Sequence, residues 1–286
     1  MSHETTSTPV PLVSVIVPTK NSAVFLHACL RSIQKQTYPN VELIVVDNFS
    51  TDKTLEIAKQ FTKHAYTKGP ERTAQRNDAA ARATGDYIMF IDSDMELAPT
   101  VVSECVTTFG VNKDASGVVI HEESFGEGFW AQCKRLERSF YVNVPWIEAA
   151  RCFKMDVFRQ LKGYDETLVS GEDWDLSQRA EKLGEIVAID AFIRHNEGRI
   201  NLGKTLKKKY YYAQHATSYL KANPVKSKLG AQQGPIERYK LFFSKPKQLF
   251  KQPHMGIAML FMKTCEFGAG ALGYVFSPRV STEKGK

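Results

Sequence analysis

The chain has 286 residues, with 43% hydrophobic and 24% charged side chains, which is typical of a folded protein and excludes a largely disordered one. Its five cysteines are scattered and free of Cys-x-x-Cys spacing. This argues against a disulfide framework or a zinc site and predicts reduced thiols in a cytosol-facing protein. The formal net charge is +7 and is unevenly distributed along the chain.

The first half of the chain predicts strands that alternate with helices. Residues 1–11 are polar, lack the pattern of a secretory signal and predict a flexible tail. The predicted strands are Val13–Val17, Val41–Val46, His64–Tyr66 and Tyr87–Ile91, and the predicted helices run from Leu26 to Ile33, from Ser50 to Phe61 and over Thr73–Thr84. Strands separated by helices of about 10–15 residues indicate βαβ units and a parallel sheet.

The second half is more mixed. Its predicted strands are Ser116–Ile120, Trp146–Phe153 and Ile186–Ile189, and its predicted helices are Gly128–Tyr141, Met155–Gln160, Glu172–Lys182 and Thr205–Leu220. We therefore expect an α/β domain over residues 12–200 and a helical extension over residues 201–286.

Polar residues follow three of the predicted strands. Pro18–Asn21, Asp47–Asn48 and Asp92–Asp94 each stand where an apolar run ends. Because ligands bind beyond the carboxyl ends of strands in open parallel sheets, these three clusters predict one site.

Asp92-Ser93-Asp94 is the sharpest local signal for a metal. Two carboxylates one residue apart offer the hard oxygen ligands that suit Mg²⁺ or Mn²⁺, and the cation would neutralise a diphosphate. The alternative is an ordinary surface loop. It is disfavoured because two charges at a buried strand end are costly without a partner.

Glu172-Asp173-Trp174 is the second signal. A transfer onto a hydroxyl needs a base to take its proton, and an acidic pair beside an aromatic side chain that could pack on a sugar ring suits this role. The alternative is that acidic residues simply favour the first turn of a helix.

Two further positions have a functional and a structural interpretation. His195 follows a short strand among polar neighbours, so it is either a third metal or phosphate ligand or a structural histidine. Arg76 either faces a nucleotide or lies on a solvated helix face.

Together these segments resemble family-2 glycosyltransferases with the GT-A fold, a Rossmann-like, mostly parallel sheet flanked by helices. The matching segments are Val13–Asn21, Val45–Asp52, Arg76–Asn77, Gly85–Asp94 and Gly171–Leu176. The resemblance implies inverting transfer from a nucleotide-diphosphate sugar, with Asp173 as the catalytic base, Glu172 supporting it, and Asp94, Asp92 and His195 on Mn²⁺ or Mg²⁺. The predicted nucleotide-sugar-binding residues are Pro18, Thr19, Asn21, Asp47, Arg76, Asp92, Ser93 and Trp174.

The chain also departs from the family pattern. Asn48 stands where a second acid is usual, and Phe49 stands where Gly or Asn is common. The Gln-x-x-Arg-Trp motif of processive synthases does not follow Asp173, which favours single transfer over polymerisation.

The carboxyl-terminal segment predicts a membrane contact. Twelve Lys and Arg against one acid, Glu237, lie between Asn201 and Lys251. Nucleic acid is a poor fit beside a sugar-nucleotide site, so we expect an anionic membrane surface at the cytoplasmic face. Met255–Phe276 is apolar apart from Lys263 and Glu266, which could pair at i, i+3. A monotopic or re-entrant membrane contact is favoured over a full span, and a helix packed on the catalytic domain is the alternative.

The predicted function is single transfer of a sugar to a lipid-linked (polyprenyl) or other glycan acceptor at the membrane. Two alternatives stay open. The first is a catalytically silent sugar-nucleotide-binding or membrane scaffold protein. The second is a sugar-phosphate nucleotidyltransferase, although Pro18–Asn21 lacks the glycine- and lysine-rich phosphate loop that this class requires.

Overall fold

The computed structural model describes residues 10–168, 170–222 and 234–276, without the side chains of residues 215–222. The chain forms two compact units. The first unit contains residues 10–120, Ala150–Gly163 and Ser177–Ile193. The second unit contains His121–Ala149, Tyr164–Leu176 and the described residues from Arg194 onward. The predicted boundary at residue 200 stays a prediction.

The elements alternate in the first half of the chain, as the sequence predicts. The strands are β1 (Val13–Thr19), β2 (Val41–Asp47), β3 (Ala65–Thr67), β4 (Tyr87–Phe90), β5 (Met95–Leu97), β6 (Ala115–Glu127), β7 (Ala150–Lys154) and β8 (Glu185–Arg199). The helices are α1 (Ala23–Gln34), α2 (Thr54–Phe61), α3 (Arg72–Arg82), α4 (Val101–Val111), α5 (Phe129–Ser139), α6 (Met155–Gln160), α7 (Glu172–Glu181), α8 (Leu202–Ala222), α9 (Pro235–Ser244), α10 (Pro246–Leu249) and α11 (Pro253–Val275).

The strands form one sheet in the order β3-β2-β1-β4-β7-β6-β8-β5. β1 pairs in parallel with both β2 and β4, and β2 pairs in parallel with β3. Thr19 is the register partner of Asp47, so the carboxyl ends of β1 and β2 lie side by side. β7 is antiparallel to β4 and β6, and the sheet is therefore mixed.

The core of the first unit supports these strand ends. All seven residues of β1 are buried, and α1 presents Leu26, Cys29, Leu30 and Ile33 to the same core at helical spacing. A fully buried aliphatic side chain contributes about 1.5–3 kcal/mol. The polar residues that follow β1, β2 and β4 thus stand on a well-packed support.

Several elements differ from the sequence predictions. β5 and α4 were not predicted, since three residues show no periodicity and α4 is rich in valine and threonine, which are poor helix formers. Burial of Val101, Val102, Cys105 and Phe109 stabilises α4 instead. β8 continues to Arg199 rather than ending at Ile189, because its polar second half conceals the strand pattern. α9 and α10 were also not predicted.

A buried ion cluster joins α5 and α11 in the second unit. We define the ion cluster as Lys134, Glu137, Lys263 and Glu266, all of which are less than 10% exposed. Lys263 Nζ lies 2.7 Å from Glu137 Oε1 and 3.0 Å from Glu266 Oε2, so the predicted Lys263–Glu266 pair is present. Lys134 Nζ lies 2.8 Å from Glu137 Oε2 and 3.2 Å from Glu266 Oε1. Each charge thus has two partners of opposite sign.

Replacing Lys263 by methionine is expected to lower the free energy of unfolding by about 3–5 kcal/mol, because the buried carboxylates of Glu137 and Glu266 each lose one of their two lysine partners. Urea denaturation measures this loss. Lys240→Met is the control, since Lys240 and Glu237 form an exposed pair at 2.7 Å whose removal costs less than about 1 kcal/mol. Equal losses in the two variants would show that the ion cluster does not stabilise the protein.

Candidate active site

The ends of β1 and β2 are tied together by polar side chains of the first unit. Thr19 Oγ1 donates a hydrogen bond to Asp47 Oδ1 at 3.0 Å, and the backbone N–H of Ser50 donates to Asp47 Oδ2 at 2.8 Å. Both Thr19 and Asp47 are at most 2% exposed. Pro18 is buried within β1, whereas Asn21 is exposed and its side-chain oxygen accepts a hydrogen bond from the N–H of Thr51 at 2.9 Å. These residues hold the loops after β1 and β2 in place.

Gln75 supports the same strand ends and was not identified from the sequence. Its side-chain amide donates to the carbonyl oxygens of Thr19, at 3.1 Å, and Val46, at 2.6 Å. Buried carbonyl groups at strand ends require such donors. In the sequence Gln75 is one polar residue of an alanine-rich helix, which gives no signal for this role.

Asp92 lies between two arginines. Arg76 is fully buried, and its Nη2 lies 2.8 Å from Asp92 Oδ1, while Arg151 Nη1 lies 3.5 Å from Asp92 Oδ2. The interpretation of Arg76 as part of a solvated helix face is therefore wrong. The Arg76 contact is a charge-assisted hydrogen bond, which is strong and orients the carboxylate, whereas the Arg151 contact is a longer ion pair. Arg151, on β7, was not identified from the sequence because it lies 59 residues after Asp92.

The turn from Asp92 to Met95 is anchored to α1. Ser93 Oγ donates to Ser22 Oγ at 2.8 Å, and the Met95 N–H donates to the Asp92 carbonyl at 3.0 Å. Burial raises the pKa of the Cys29 thiol, and the nearby charges of Asp94 and Asp92 raise it further. The Asp92 and Asp94 carboxylates therefore both lie close enough to Cys29 to raise the pKa of its thiol.

The donor set at this turn fits a hard divalent cation that arrives with a phosphorylated ligand. Among the residues that the structure describes, no three or more His, Cys, Asp or Glu side chains are grouped to hold a metal. Mg²⁺ is nevertheless commonly bound through one or two carboxylates together with substrate phosphates. The assignment of Asp92, Asp94 and His195 as metal ligands stays a prediction.

The acidic pair predicted to carry the base lies at the start of α7, in the second unit. Gly171, just before it, has φ of 83°, a conformation that glycine adopts without strain. Tyr164 donates its hydroxyl to Asp173 Oδ1 at 3.2 Å, and Trp174 Nε1 donates to the Ile147 carbonyl at 2.7 Å. Glu172 is 2% exposed, whereas Asp173 is only half-buried. Asp173 is therefore the more accessible of the two carboxylates, and the Tyr164 hydroxyl helps to orient it.

His195 belongs to an ionic network of the second unit. Its Nδ1 lies 3.5 Å from Glu122 Oε2, and Glu122 in turn lies 3.8 Å from Arg138. His121, the residue before Glu122, forms a second pair, in which its Nδ1 lies 2.8 Å from Glu148 Oε1. Burial raises the pKa of the Glu148 carboxyl, against the opposing effect of His121. Sequence reasoning missed Glu122 and the His121–Glu148 pair, because the partners are far apart in the chain.

Several curated proteins resemble parts of this chain. A Campylobacter jejuni protein named GalNAc(5)-diNAcBac-PP-undecaprenol beta-1,3-glucosyltransferase is 34% identical over 103 residues, which cover 32% of this chain and 33% of that protein. A poly(ribitol-phosphate) beta-glucosyltransferase from Bacillus spizizenii is 40% identical over 92 residues, or 29% of this chain and 14% of that protein. The chain thus spans a third or less of these relatives.

Solved structures show the fold. A mannosyltransferase from Pyrobaculum calidifontis, in complex with GDP-Man and Mn²⁺, superposes with a TM-score of 0.61 at 16% identity. The superposition covers 93% of this chain and 87% of that one. The S. aureus TarS fragment 1-349 in complex with UDP gives a TM-score of 0.51 at 17% identity and covers 92% of this chain and 90% of that one. These likenesses confirm the predicted GT-A fold.

The family model described as "Glycosyl transferase family 2" matches residues 14–166. This match contains β1 to β4, the Arg76–Asp92–Arg151 contacts and the Asp92–Asp94 turn. It extends over more than half of the sequence and confirms the predicted resemblance: the chain belongs to glycosyl transferase family 2.

Proposed function

We propose that this protein is an inverting glycosyltransferase that moves one sugar from a nucleotide-diphosphate sugar to an acceptor hydroxyl. The observation that carries the proposal is the placement of Asp92 and Asp94 directly after β4, in a chain of family 2. There, Arg76 and Arg151 hold Asp92 at 2.8 Å and 3.5 Å. An acidic turn at a strand end is suited to binding a ligand that brings its own cation.

The donor would lie at the ends of β1, β2 and β4. Asn21, Asp92 and Ser93 would contact the nucleotide sugar, with Pro18, Thr19, Asp47 and the fully buried Arg76 behind them. Because Thr19 and Asp47 are almost fully buried and bonded to each other, we expect their main contribution to be the shape of the loop that receives the base.

A divalent cation, Mn²⁺ or Mg²⁺, would be held by Asp94 with Asp92, and His195 is a further candidate ligand. When bound, it supplies positive charge to the departing diphosphate. The mannosyltransferase of similar fold was solved with both GDP-Man and Mn²⁺, which is consistent with this role. Arg76 and Arg151 would hold the Asp92 carboxylate in place both with and without the cation.

Asp173 would take the proton from the acceptor hydroxyl while the oxygen of that hydroxyl attacks the anomeric carbon. Attack opposite the departing diphosphate inverts the configuration at that carbon. The hydrogen bond from Tyr164 orients Asp173, Glu172 supports the turn from inside, and Trp174 offers an aromatic face to a sugar ring.

The acceptor would be a glycan, carried on a polyprenyl lipid or already part of a polymer, at the cytoplasmic face of the membrane. The name of the Campylobacter jejuni relative includes an undecaprenol-linked glycan acceptor, which supports this class. The basic segment between Asn201 and Lys251 supports the membrane location.

Thermal-shift measurements with UDP-, GDP-, ADP- and dTDP-sugars, each with Mn²⁺ and with EDTA, test the proposal. The sugars of one nucleotide class should raise the melting temperature when Mn²⁺ is present and not in EDTA, since a ligand at 100 times its Kd adds about 2.7 kcal/mol of stability. The same donor should then be consumed, and transfer should invert its anomeric configuration. Stabilisation without turnover would instead indicate a silent binding protein, and pyrophosphate release from a nucleoside triphosphate and a sugar phosphate would indicate a nucleotidyltransferase.

A further inference from the structure

α11 buries both of its charged side chains, together with Met255, Met259 and Met262, and exposes other apolar side chains on its outer face. Between Pro253 and Val275 only Lys263 and Glu266 are charged, and both are buried in the ion cluster with α5. A helix on the surface of a water-soluble protein usually carries charged and polar side chains on its outer face.

The outer face of α11 forms one apolar stripe. We define the α11 stripe as Ile257, Phe261, Leu272 and Val275, which are between 55% and 71% exposed. Together with the uncharged residues Thr264 and Gly268, they recur at intervals of three and four residues and so lie on one face. Trp130, 6.4 Å from Phe261, and the exposed Phe129 extend this surface onto α5. A continuous exposed apolar patch marks an interaction surface.

Exposed lysines lie on the two segments next to α11, namely α8, which packs on it, and the residues that precede it. α8 packs on α11 so closely that a Cβ at Gly273 would overlap the carbonyl oxygen of Tyr210. The side chains of Lys207 and Lys208, one turn of α8 or less from Tyr210, are exposed. Lys247 and Lys251, which precede α11, are also exposed. An apolar helix face with exposed lysines on the neighbouring segments matches the acyl chains and headgroups of an anionic lipid surface.

We propose that α11 lies in the plane of an anionic bilayer, with the α11 stripe among the acyl chains and the neighbouring lysines at the headgroups. This deepens the membrane location given under the proposed function. By length and hydropathy α11 could cross a bilayer, but a crossing would carry Lys207 and Lys208 on the adjoining α8 toward the hydrocarbon. A second copy of the chain is a poorer occupant, because it would bring like charges together.

The contact can be measured by flotation of the full chain with vesicles of phosphatidylcholine, alone or in equal parts with phosphatidylglycerol. The test variant is Ile257→Gln/Phe261→Gln, which removes apolar surface without changing charge. The control is Val111→Gln, since Val111 is 82% exposed on α4, outside the stripe. The partition coefficient of the double variant should fall by about tenfold or more, and that of the control should not change. Matching urea denaturation curves establish that both variants are folded.

The expected result is flotation of the unaltered chain with phosphatidylglycerol, weakened by salt, and its loss in the double variant. Undiminished flotation of the double variant would overturn the proposal. Flotation that survives extraction at alkaline pH would also overturn it, because this behaviour indicates a spanning helix. So would an unaltered chain that does not bind vesicles but is a dimer in solution, if the double variant is a monomer. Donor consumption is measured separately with a soluble acceptor. Flotation of an inactive protein would contradict the proposed function and leave the membrane contact standing.

Discussion

Asp173→Asn is expected to slow sugar transfer by roughly 10²–10⁴-fold, which is the usual contribution of a general base. Asparagine has the same shape as aspartate and can still accept the hydrogen bond from Tyr164, but it cannot take the acceptor's proton. The donor should bind almost normally, so the loss should fall on kcat. Initial rates at saturating donor and acceptor measure it.

The matched control for this variant is Asp190→Asn. Asp190 is an exposed aspartate on β8, outside the proposed site, and its replacement should leave kcat unchanged. A smaller loss is expected for Tyr164→Phe, which removes the 3.2 Å hydrogen bond that orients Asp173 but leaves the base itself in place. A product that keeps the donor's anomeric configuration, or an Asp173→Asn variant with full activity, would contradict the role of Asp173.

Asp94→Asn is expected to reduce transfer by at least about a thousandfold, because a cation on the diphosphate contributes several kcal/mol to the transition state and the amide binds it weakly. The melting temperature without ligands should not change, since Asp94 is half-buried and lies in a surface turn. The increase in melting temperature given by donor with Mn²⁺ should be lost. These two readouts separate loss of the cation from loss of the fold.

Asp86→Asn serves as the control at the opposite end of the same strand. Asp86 precedes β4 and accepts a hydrogen bond from the Leu12 N–H at 2.7 Å, which asparagine can also accept. This variant should keep both turnover and the Mn²⁺-dependent increase in melting temperature. Full activity of the unaltered protein in excess EDTA would show that transfer needs no metal.

The architecture of the first half could be predicted from sequence because each of its elements carries a strong local pattern. The apolar run of β1 and the helical spacing of Leu26, Leu30 and Ile33 in α1 depend on side chains a few residues apart. The polar residues that follow β1, β2 and β4 could also be predicted to form a site, because the end of each apolar run marks the end of a strand. The ordered set of these segments was sufficient to identify the family.

Contacts between distant residues decided the rest. Arg76 reads as a surface residue in its helix, and only the packing of α3 near Asp92 makes it a fully buried partner. Arg151 reaches Asp92 because β7 is inserted antiparallel beside β4, which no local pattern encodes.

The same holds for α11. The sequence determined that this segment is apolar, helical and charged at only two positions. The tertiary structure decided that both charges face α5 and that the apolar stripe faces outward, because buried charges require partners of opposite sign and Lys134 and Glu137 of α5 supply them. Which face of a helix is buried depends on the residues that it packs against. For the charges of α11, these residues lie more than a hundred positions earlier in the chain.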